Sequence, residues 1–519
     1  MKRDGNNKSL WQNNIRTYKP GPFDAGDQIF DVLIVGGGIT GITTAWELQQ
    51  TGQKCLIAEA KNLCFGTTGG TTAHLNNFFD TSYAEVISDF GKQEAKILAL
   101  AATEALSLYK KNIQALAIDC EFHEGEGVLY ALDEKQAEEL DEIYHGSIAA
   151  RVDVQYTGKI PVPIPFKKAI SFPGQGQIHP VKYVYGLARA FEKAGGVILD
   201  SCFVNEVESG DILTIRTSCG ILKAKKVIYA SHIPPGINLL HLRCAPYRSY
   251  VMAVTLEDGG YPENPAYDMM DPYHYYRTQE VDGKKYLIAG GEDHKTGHEE
   301  NTELPFERLE HYLRKFFKIS NIDFRWSSQY FEPADGLAYI GHLPGASENI
   351  FVATGFGGNG MTYSHIAAMV LTAAITSGVK LYDNLFSPAR VKPVAGFAAF
   401  VKENADVVSS FIGDRLKISS LSSLAEIRKN SGQIVKYDHH SIAVHKNGSG
   451  KLLVVNPVCT HLKCMVKWNQ TERSWDCPCH GARYSVEGEV LTGPGNRHLE
   501  KIDLLQEKEK SEQSNITSP

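Results

Sequence analysis

The chain has 519 residues, 43% of them hydrophobic and 22% charged, with 53 Lys+Arg against 60 Asp+Glu and a formal charge of -7. Such a length exceeds one hydrophobic core and predicts roughly two to four domains of ordinary soluble composition, while an acidic chain without a basic stripe argues against a nucleic-acid partner. Met1 to Gly21 is polar with no apolar h-region, and the longest apolar helical run, Ile366 to Ile375, is too short to cross a bilayer, so the expectation is a cytoplasmic protein without a membrane span. Of ten cysteines, Cys55, Cys64, Cys120, Cys202, Cys219 and Cys244 are scattered and read as reduced, packed thiols. The other four fall between Cys459 and Cys479 and mark a site.

After a lead of residues 1–29, Asp31 to Ala60 reads as strand, turn, helix and strand. Val32 to Val35 is a short apolar run. Gly36, Gly38 and Gly41 then form G-x-G-x-x-G, with Ile39 inside the motif, and Ile42 to Gln50 has helical character stopped by Gly52. In such a motif Gly36 permits the tight turn, Gly38 lets backbone approach a pyrophosphate, and Gly41 lets helix and strand close up. The helix N-terminus offers N–H groups and positive dipole to phosphate. Glu59, followed by Ala60, ends the next strand where an acid accepts hydrogen bonds from an adenosine ribose and disfavours a 2′-phosphate. The pattern predicts a dinucleotide site. The competing reading is a glycine-rich turn in an ordinary α/β unit.

The segment NLCFGTTGGTTAHLNN follows, too polar for a core element. Its groups from Thr67 and Thr68 to Thr72 and Ala73 suit a phosphate or a ring, with a plain surface loop as the alternative. Tyr83 to Leu116 has helical spacing, Val181 to Lys193 reads as a helix before a strand pair after Gly195-Gly196, and Leu222 to Ala230 as an apolar strand. Over roughly Phe30 to Asn384 the chain resembles the D-amino-acid oxidase and glycine oxidase group of FAD-dependent amine and amino-acid oxidoreductases. The resemblance implies an α/β, Rossmann-like FAD-binding domain over 30–390 with an α+β substrate subdomain at about 243–325. It also implies that Val207 lies beside the adenosine and Ala230 near the pyrophosphate.

Within the substrate region, Tyr247-Arg248 and Tyr275-Tyr276-Arg277 set cations beside aromatics on apparent strands. An arginine in a cleft would clamp a substrate carboxylate bidentately; a solvated strand-edge arginine is the alternative for either. His294, in a turn-like GGEDHKTG, is expected to be exposed. Asn349 to Thr362 holds a second G-x-G-x-x-G, Gly355, Gly357 and Gly360, after a strand and opening a helix, but no further strand follows to complete a second nucleotide domain. The resemblance implies instead that Gly357, Gly358, Asn359, Gly360, Met361 and Thr362 line the flavin ring. A helix N-terminus there would stabilise the negative charge of a reduced flavin.

Residues 391–420 read as a helical linker, 421–506 as a small all-β domain of short alternating strands, and 507–519 as a disordered tail. The β domain carries Cys459-Thr-His461 and Cys477-Pro-Cys479-His480. Cys459 and Cys477 on one iron with His461 and His480 on the other make the ligand set of a Rieske [2Fe–2S] centre, whose neutral imidazoles raise the potential to roughly −150 to +300 mV against about −400 mV for plant-type ferredoxins. A Cys2His2 zinc site is the alternative, but zinc modules favour other spacings. Cys464 and Cys479 resemble the disulfide pair of Rieske proteins in cytochrome bc complexes. Tyr484 matches a tyrosine that donates to a cysteine sulfur in that family, while Ala482 stands where a serine often bonds a bridging sulfide. The missing donor predicts a lower potential than in serine-bearing relatives.

The expected function is a dehydrogenase that oxidises a small amine or amino acid on FAD and passes the electrons through the cluster to an external acceptor. The alternatives are reversed flow from cluster to FAD, and a non-enzymatic redox sensor. A Rieske ring hydroxylase is disfavoured, since no mononuclear-iron domain follows the cluster.

Overall fold

The computed structural model describes residues 1, 3–13, 15–23, 26–390, 419–420, 424–437 and 440–503. The expected helical linker, except for Ser419–Ser420, and the C-terminal tail therefore lie outside the described residues. The central sheet runs in the order Tyr339–His342, Ile350–Thr354, Gly220–Tyr229, Ile29–Val35, Cys55–Ala58, Val197–Leu199, with the hairpin Val204–Glu208 and Leu213–Thr217 added at one side. Its inner pairings are parallel, Val32 to Val35 standing beside Cys55 to Ala58 and Lys226 to Tyr229. These strands are apolar runs because both faces are covered. Helices Ile39–Gln50, Pro180–Lys193 and Gly360–Ser377 pack together, and the last touches the long helix Lys92–Ala115. The expected helical stretch from Tyr83 is in fact two helices, Tyr83–Asp89 and Lys92–Ala115, parted at Gly91, whose φ of +114° no other residue type adopts readily.

The second large sheet has nine strands and extends past the expected substrate region. Its long antiparallel core is Cys244–Leu256 between Ile319–Pro333 and Lys284–Lys295, continuing through Tyr275–Val281 and Ala266–Asp268 to His123–Ala131, Lys168–Gln177 and His74–Leu75. The last three come from far earlier in the chain, and they carry the threonine loop up to this sheet.

The C-terminal domain is built from two four-stranded sheets, one from Ser419 to Val455 and one of Lys467–Asn469, Ser474–Asp476, Arg483–Ser485 and Val490–Thr492. Its core gathers Val455, Val466, Trp475, Tyr484 and the four clustered cysteines. The N-terminal lead lies between this domain and the flavoprotein: Arg3, Asp4 and Ser9 to Gln12 are buried, Trp11 Nε1 donates to the Thr71 carbonyl at 2.6 Å, and Gln12 Nε2 to that of Cys64 at 3.0 Å.

Two cysteines correct the expectation of scattered thiols. Cys202 and Cys219 are joined in a disulfide because the hairpin between them folds back and sets their Cα atoms 5.4 Å apart. His294 is likewise half-buried rather than exposed, since the Tyr250 hydroxyl lies 2.8 Å from its Nε2.

Candidate active site

A cavity of about 560 Å3 is walled by residues of both large sheets, a size that suits a small-molecule site. From the first glycine motif Gly36, Gly38 and Ile39 line it, with Glu59 and Ala60 after the next strand. Thr67, Thr68 and Thr72 line it from the threonine loop, Ala230 from the end of its strand, and Gly357 to Thr362 from the second motif. Two glycine segments more than 300 residues apart are thus brought to one space. Gly36 has a φ of +115°, and a Cβ there would stand 2.6 Å from the Ala230 carbonyl oxygen, so glycine is required by both conformation and space.

Three expected cofactor residues do not line the cavity. Gly41 lies under the motif, where a Cβ would meet the Gly36 carbonyl at 1.9 Å, so it serves the close packing of helix and turn. Ala73 is fully buried and gives its carbonyl to Arg277 at 2.9 Å. Val207 sits further along the side hairpin, paired with Ile215, and Cys202, Phe203 and Val204 reach the cavity in its place. The resemblance located this hairpin but not the residue on it that faces inward.

Polar groups along the cavity are held by backbone. The Glu59 carboxylate accepts from the N–H groups of Gly37 at 2.7 Å and Lys61 at 2.8 Å; burial raises its pKa against these bonds. Thr68 Oγ1 accepts from Ile39 N–H at 3.0 Å, tying the threonine loop to the start of the first helix. At the other end Asp80 accepts from Gly358 N–H at 2.8 Å, Thr362 donates to the Asn76 carbonyl at 2.6 Å, and His74 Nδ1 lies 2.7 Å from the Tyr267 hydroxyl.

Arg277 and Arg248, expected at a substrate carboxylate, are both buried and neither lines the cavity. Tyr275 does line it, but Arg277, one pleat further on the same strand face, donates instead to the carbonyls of Thr72 at 2.7 Å, Ala73 at 2.9 Å and Ile178 at 3.2 Å, beneath the ring of Trp11. Arg248 faces the C-terminal domain. It donates to Ser327 at 2.8 Å and lies 3.7 Å from Asp476, in a buried group that also holds Arg3, Asp4, Glu472 and Arg483, with Arg483 3.0 Å from Asp4 and 3.1 Å from Asp476. Their chemistry as strand-borne cations beside aromatics was legible; what each faces depends on which element packs on that strand.

In the C-terminal domain Cys464 and Cys479 form a disulfide, while Cys459 and Cys477 are buried free thiols. The sulfurs of Cys464, Cys477 and Cys479 also lie within 4.8 Å of one another, but two of them share a bond and cannot act as thiolate ligands. The candidate ligands left are Cys459, Cys477, His461 and His480. The two imidazole rings are 4.9 Å apart, and both ring nitrogens of His480 are buried without a hydrogen-bond partner among the described residues. A hydrogen bond from Cys477 and another from Tyr484, whose hydroxyl is 3.2 Å from the sulfur, bring the Cys459 thiol down to about 7. Two buried free thiols, the acidity of Cys459 enhanced at the expense of Cys477, whose pKa is pushed up by its bond to Cys459, and an orphaned imidazole suit a thiolate- and imidazole-bound cluster.

Comparison with known proteins places both parts of the chain in known families. Residues 31–374 match the family described as FAD dependent oxidoreductase, and residues 419–503 the Rieske [2Fe-2S] domain. The chain belongs to the FAD-dependent oxidoreductase family. It is 32% identical to the putative Rieske 2Fe-2S iron-sulfur protein YhfW of Bacillus subtilis (strain 168), covering 91% of this chain and 93% of that one. It is 24% identical to the gamma-glutamylputrescine oxidoreductase of Escherichia coli (strain K12), over 70% of this chain and 88% of that one. The structure of glycine oxidase from Geobacillus kaustophilus shares the fold, with a TM-score of 0.56 at 20% identity over 71% of this chain and 98% of that one. FAD and a Rieske [2Fe–2S] cluster are accordingly the cofactors, and the cavity and the Cys/His pocket are shaped to take them. Among the described residues no helix is long and apolar enough to cross a membrane.

The Rieske domain also closes the flavoprotein cavity, since Val490 to Gly493 and Gly495 form part of its wall. A second contact joins the domains at the candidate ligand His461, whose Nε2 lies 2.9 Å from Nδ1 of His241. The Pro234 carbonyl is 2.8 Å from His241 Nε2 and can only accept, so that nitrogen carries the proton; Asn238 Nδ2, 3.0 Å from the same nitrogen, is a contact without a bond. Burial lowers His241 to about 4 and keeps it neutral. Its Nδ1 therefore accepts, His461 Nε2 donates, and the lone pair of His461 Nδ1 is left available to a metal. Sequence reasoning missed His241: a lone histidine in the short turn Leu239–Leu242 gives no signal until the domain that covers it is placed.

Proposed function

We propose that the protein is a dehydrogenase that oxidises a small amine or amino acid in the cavity and delivers the electrons through the Rieske domain to an external one-electron acceptor. The observation that carries this reading is the shared interface: Rieske residues wall the FAD cavity, and the ligand His461 bonds to His241 of the flavoprotein. An enzyme that handed electrons straight from flavin to oxygen would have no use for that contact. The name of the gamma-glutamylputrescine oxidoreductase relative supports an amine as substrate.

Bound in these sites, FAD supplies a two-electron acceptor and the cluster a one-electron carrier. The chain's own part is to bind and orient. The first glycine turn, Glu59 and Ala230 take the dinucleotide end of FAD; Thr67, Thr68, Thr72 and Gly357 to Thr362 take its ring, with the helix start stabilising negative charge. Cys459, Cys477, His461 and His480 hold the cluster, and the packed wall excludes water. The substrate loses a hydride from carbon and a proton from nitrogen, and water hydrolyses the resulting imine to a carbonyl compound and an amine or ammonia.

Anaerobic stopped-flow absorbance with freeze-quench EPR on the holoprotein tests this. Mixing with a panel of amines and D- and L-amino acids should bleach the flavin first and then bring up the Rieske signal. If nothing in the panel bleaches the flavin while an added reductant fills the cluster before the flavin, the direction of flow is reversed and the reading fails.

A further inference from the structure

The end of the cavity next to Gly358 is made of acids and tyrosines. Asp80 stands there on the Gly358 N–H, and Asp293, from the strand Lys284–Lys295, faces the same space. Asp293 Oδ2 accepts from the Tyr330 hydroxyl at 2.9 Å and the Ser249 hydroxyl also favours the ionised carboxyl, whereas Oδ1 is buried with no hydrogen-bond partner among the described residues. Tyr273, Tyr275 and Tyr330 line the space around it, the first two with ring centroids 5.7 Å apart. Among the described residues no arginine lines the cavity. Its lysine, Lys61, pairs with Glu489 at 2.8 Å on the Rieske side, beside Glu59. The nearby His274, raised to about 9 by Asp268 and Glu292 against its burial and so a cation, is paired with Asp268 at 2.9 Å and lies 3.5 Å from Glu292. A carboxylate entering this end would meet two carboxylates and no free cation, whereas an ammonium group would find an unsatisfied oxygen and the negative faces of aromatic rings.

We propose, resting on the reading that this cavity oxidises amines, that the substrate is a di- or polyamine: the ammonium group that is not oxidised pairs with Asp293 Oδ1 among Tyr273, Tyr275 and Tyr330. With FAD bound as the two-electron acceptor, the carbon bearing the other nitrogen would lose a hydride to it and that nitrogen a proton, and water would convert the imine to an amino-aldehyde and ammonia. α-Amino acids, which would bring a carboxylate beside the acids, are poor substrates. Burial, with the charge of Asp80, raises Asp293 to about 7, a state that a bound cation would relieve.

The test uses holoprotein with butane-1,4-diamine, butylamine, glycine and D- and L-alanine. Binding is measured by calorimetry on the dithionite-reduced protein, which cannot turn over, and flavin bleaching on the oxidised protein. The diamine should bind more tightly than butylamine or the amino acids by on the order of 100-fold, as loss of one partner of a buried charge pair implies, and it should bleach the flavin fastest. Asp293→Asn should weaken diamine binding by a similar factor with flavin and cluster spectra intact, while Asp293→Glu keeps the preference for diamine over amino acids. An amino acid that binds as tightly as the diamine, or an Asp293→Asn protein that binds the diamine like the parent, overturns the inference. Diamine binding that depends on Asp293 without bleaching would retain the cation site and remove the amine-oxidation reading. Bleaching by amines that ignores Asp293 would do the reverse.

Discussion

At the scale of the residue, the same side-chain type does different work according to what faces it. Arg277 was legible as a cation on a strand, yet its Nη1 donates to three backbone carbonyls and its Nη2 to Gln279. Arg277→Ala leaves those acceptors unpaired in a buried place and should cost about 3 kcal/mol of stability, read by thermal or denaturant unfolding of the holoprotein, with substrate KM unmoved. An increase in KM without loss of stability would restore the carboxylate-clamp role. Ala482 is buried beside the cluster loop and offers no hydroxyl, whereas the Tyr484 hydroxyl lies 3.2 Å from the Cys459 sulfur. Ala482→Ser should raise the cluster potential by on the order of 60 mV, about 1.4 kcal/mol for a one-electron couple, measured by EPR-monitored redox titration. No rise would show that the serine hydroxyl does not reach the cluster.

At the scale of the element, the polar N-terminal lead is a structural strap. Burial alone would raise the carboxyls of Asp4 and Glu472, but the charges of Arg3, Arg248 and Arg483 hold both below their ordinary values. Because the folded-state values are depressed, the stability they contribute is fully present above the ordinary carboxylate range, about 4 to 4.5, and is lost as pH falls through the depressed values. Acid should therefore loosen the strap and the Rieske contact. Glu472→Gln breaks a buried pair and should destabilise by about 3 kcal/mol near neutral pH, with the difference from the parent shrinking toward acid pH. Calorimetric melting as a function of pH checks both; an unchanged difference at low pH would contradict the role given to these carboxyls.

At the scale of the whole molecule, the two redox sites are held as one body. His241→Phe removes the acceptor for His461 N–H and leaves the flavoprotein cavity untouched. The expected result is unchanged flavin bleaching by substrate and roughly 10-fold slower appearance of the Rieske EPR signal, the scale of loss for an outer-shell partner of a metal ligand. The cluster potential should also rise, because an imidazole that no longer donates is a poorer electron donor to iron. Unaltered transfer rate and potential in the variant would mean that electrons cross elsewhere along the interface.

Composition, periodicity and short motifs determined the kinds of site. Gly36, Gly38 and Gly41 between two apolar strands, and two cysteine–histidine boxes on a hairpin, carry their chemistry in local spacing, since a turn, a helix start or a ligand loop needs only a few adjacent residues in one conformation. What the tertiary structure decided depends on which distant surfaces meet. Phe203 and Val204 rather than Val207 face the cavity, Arg248 and Arg277 are spent on the protein itself, Cys202 reaches Cys219 across a hairpin, and His241 meets His461. The strand period says that two faces exist but not what covers each, and only the packed chain supplies that covering.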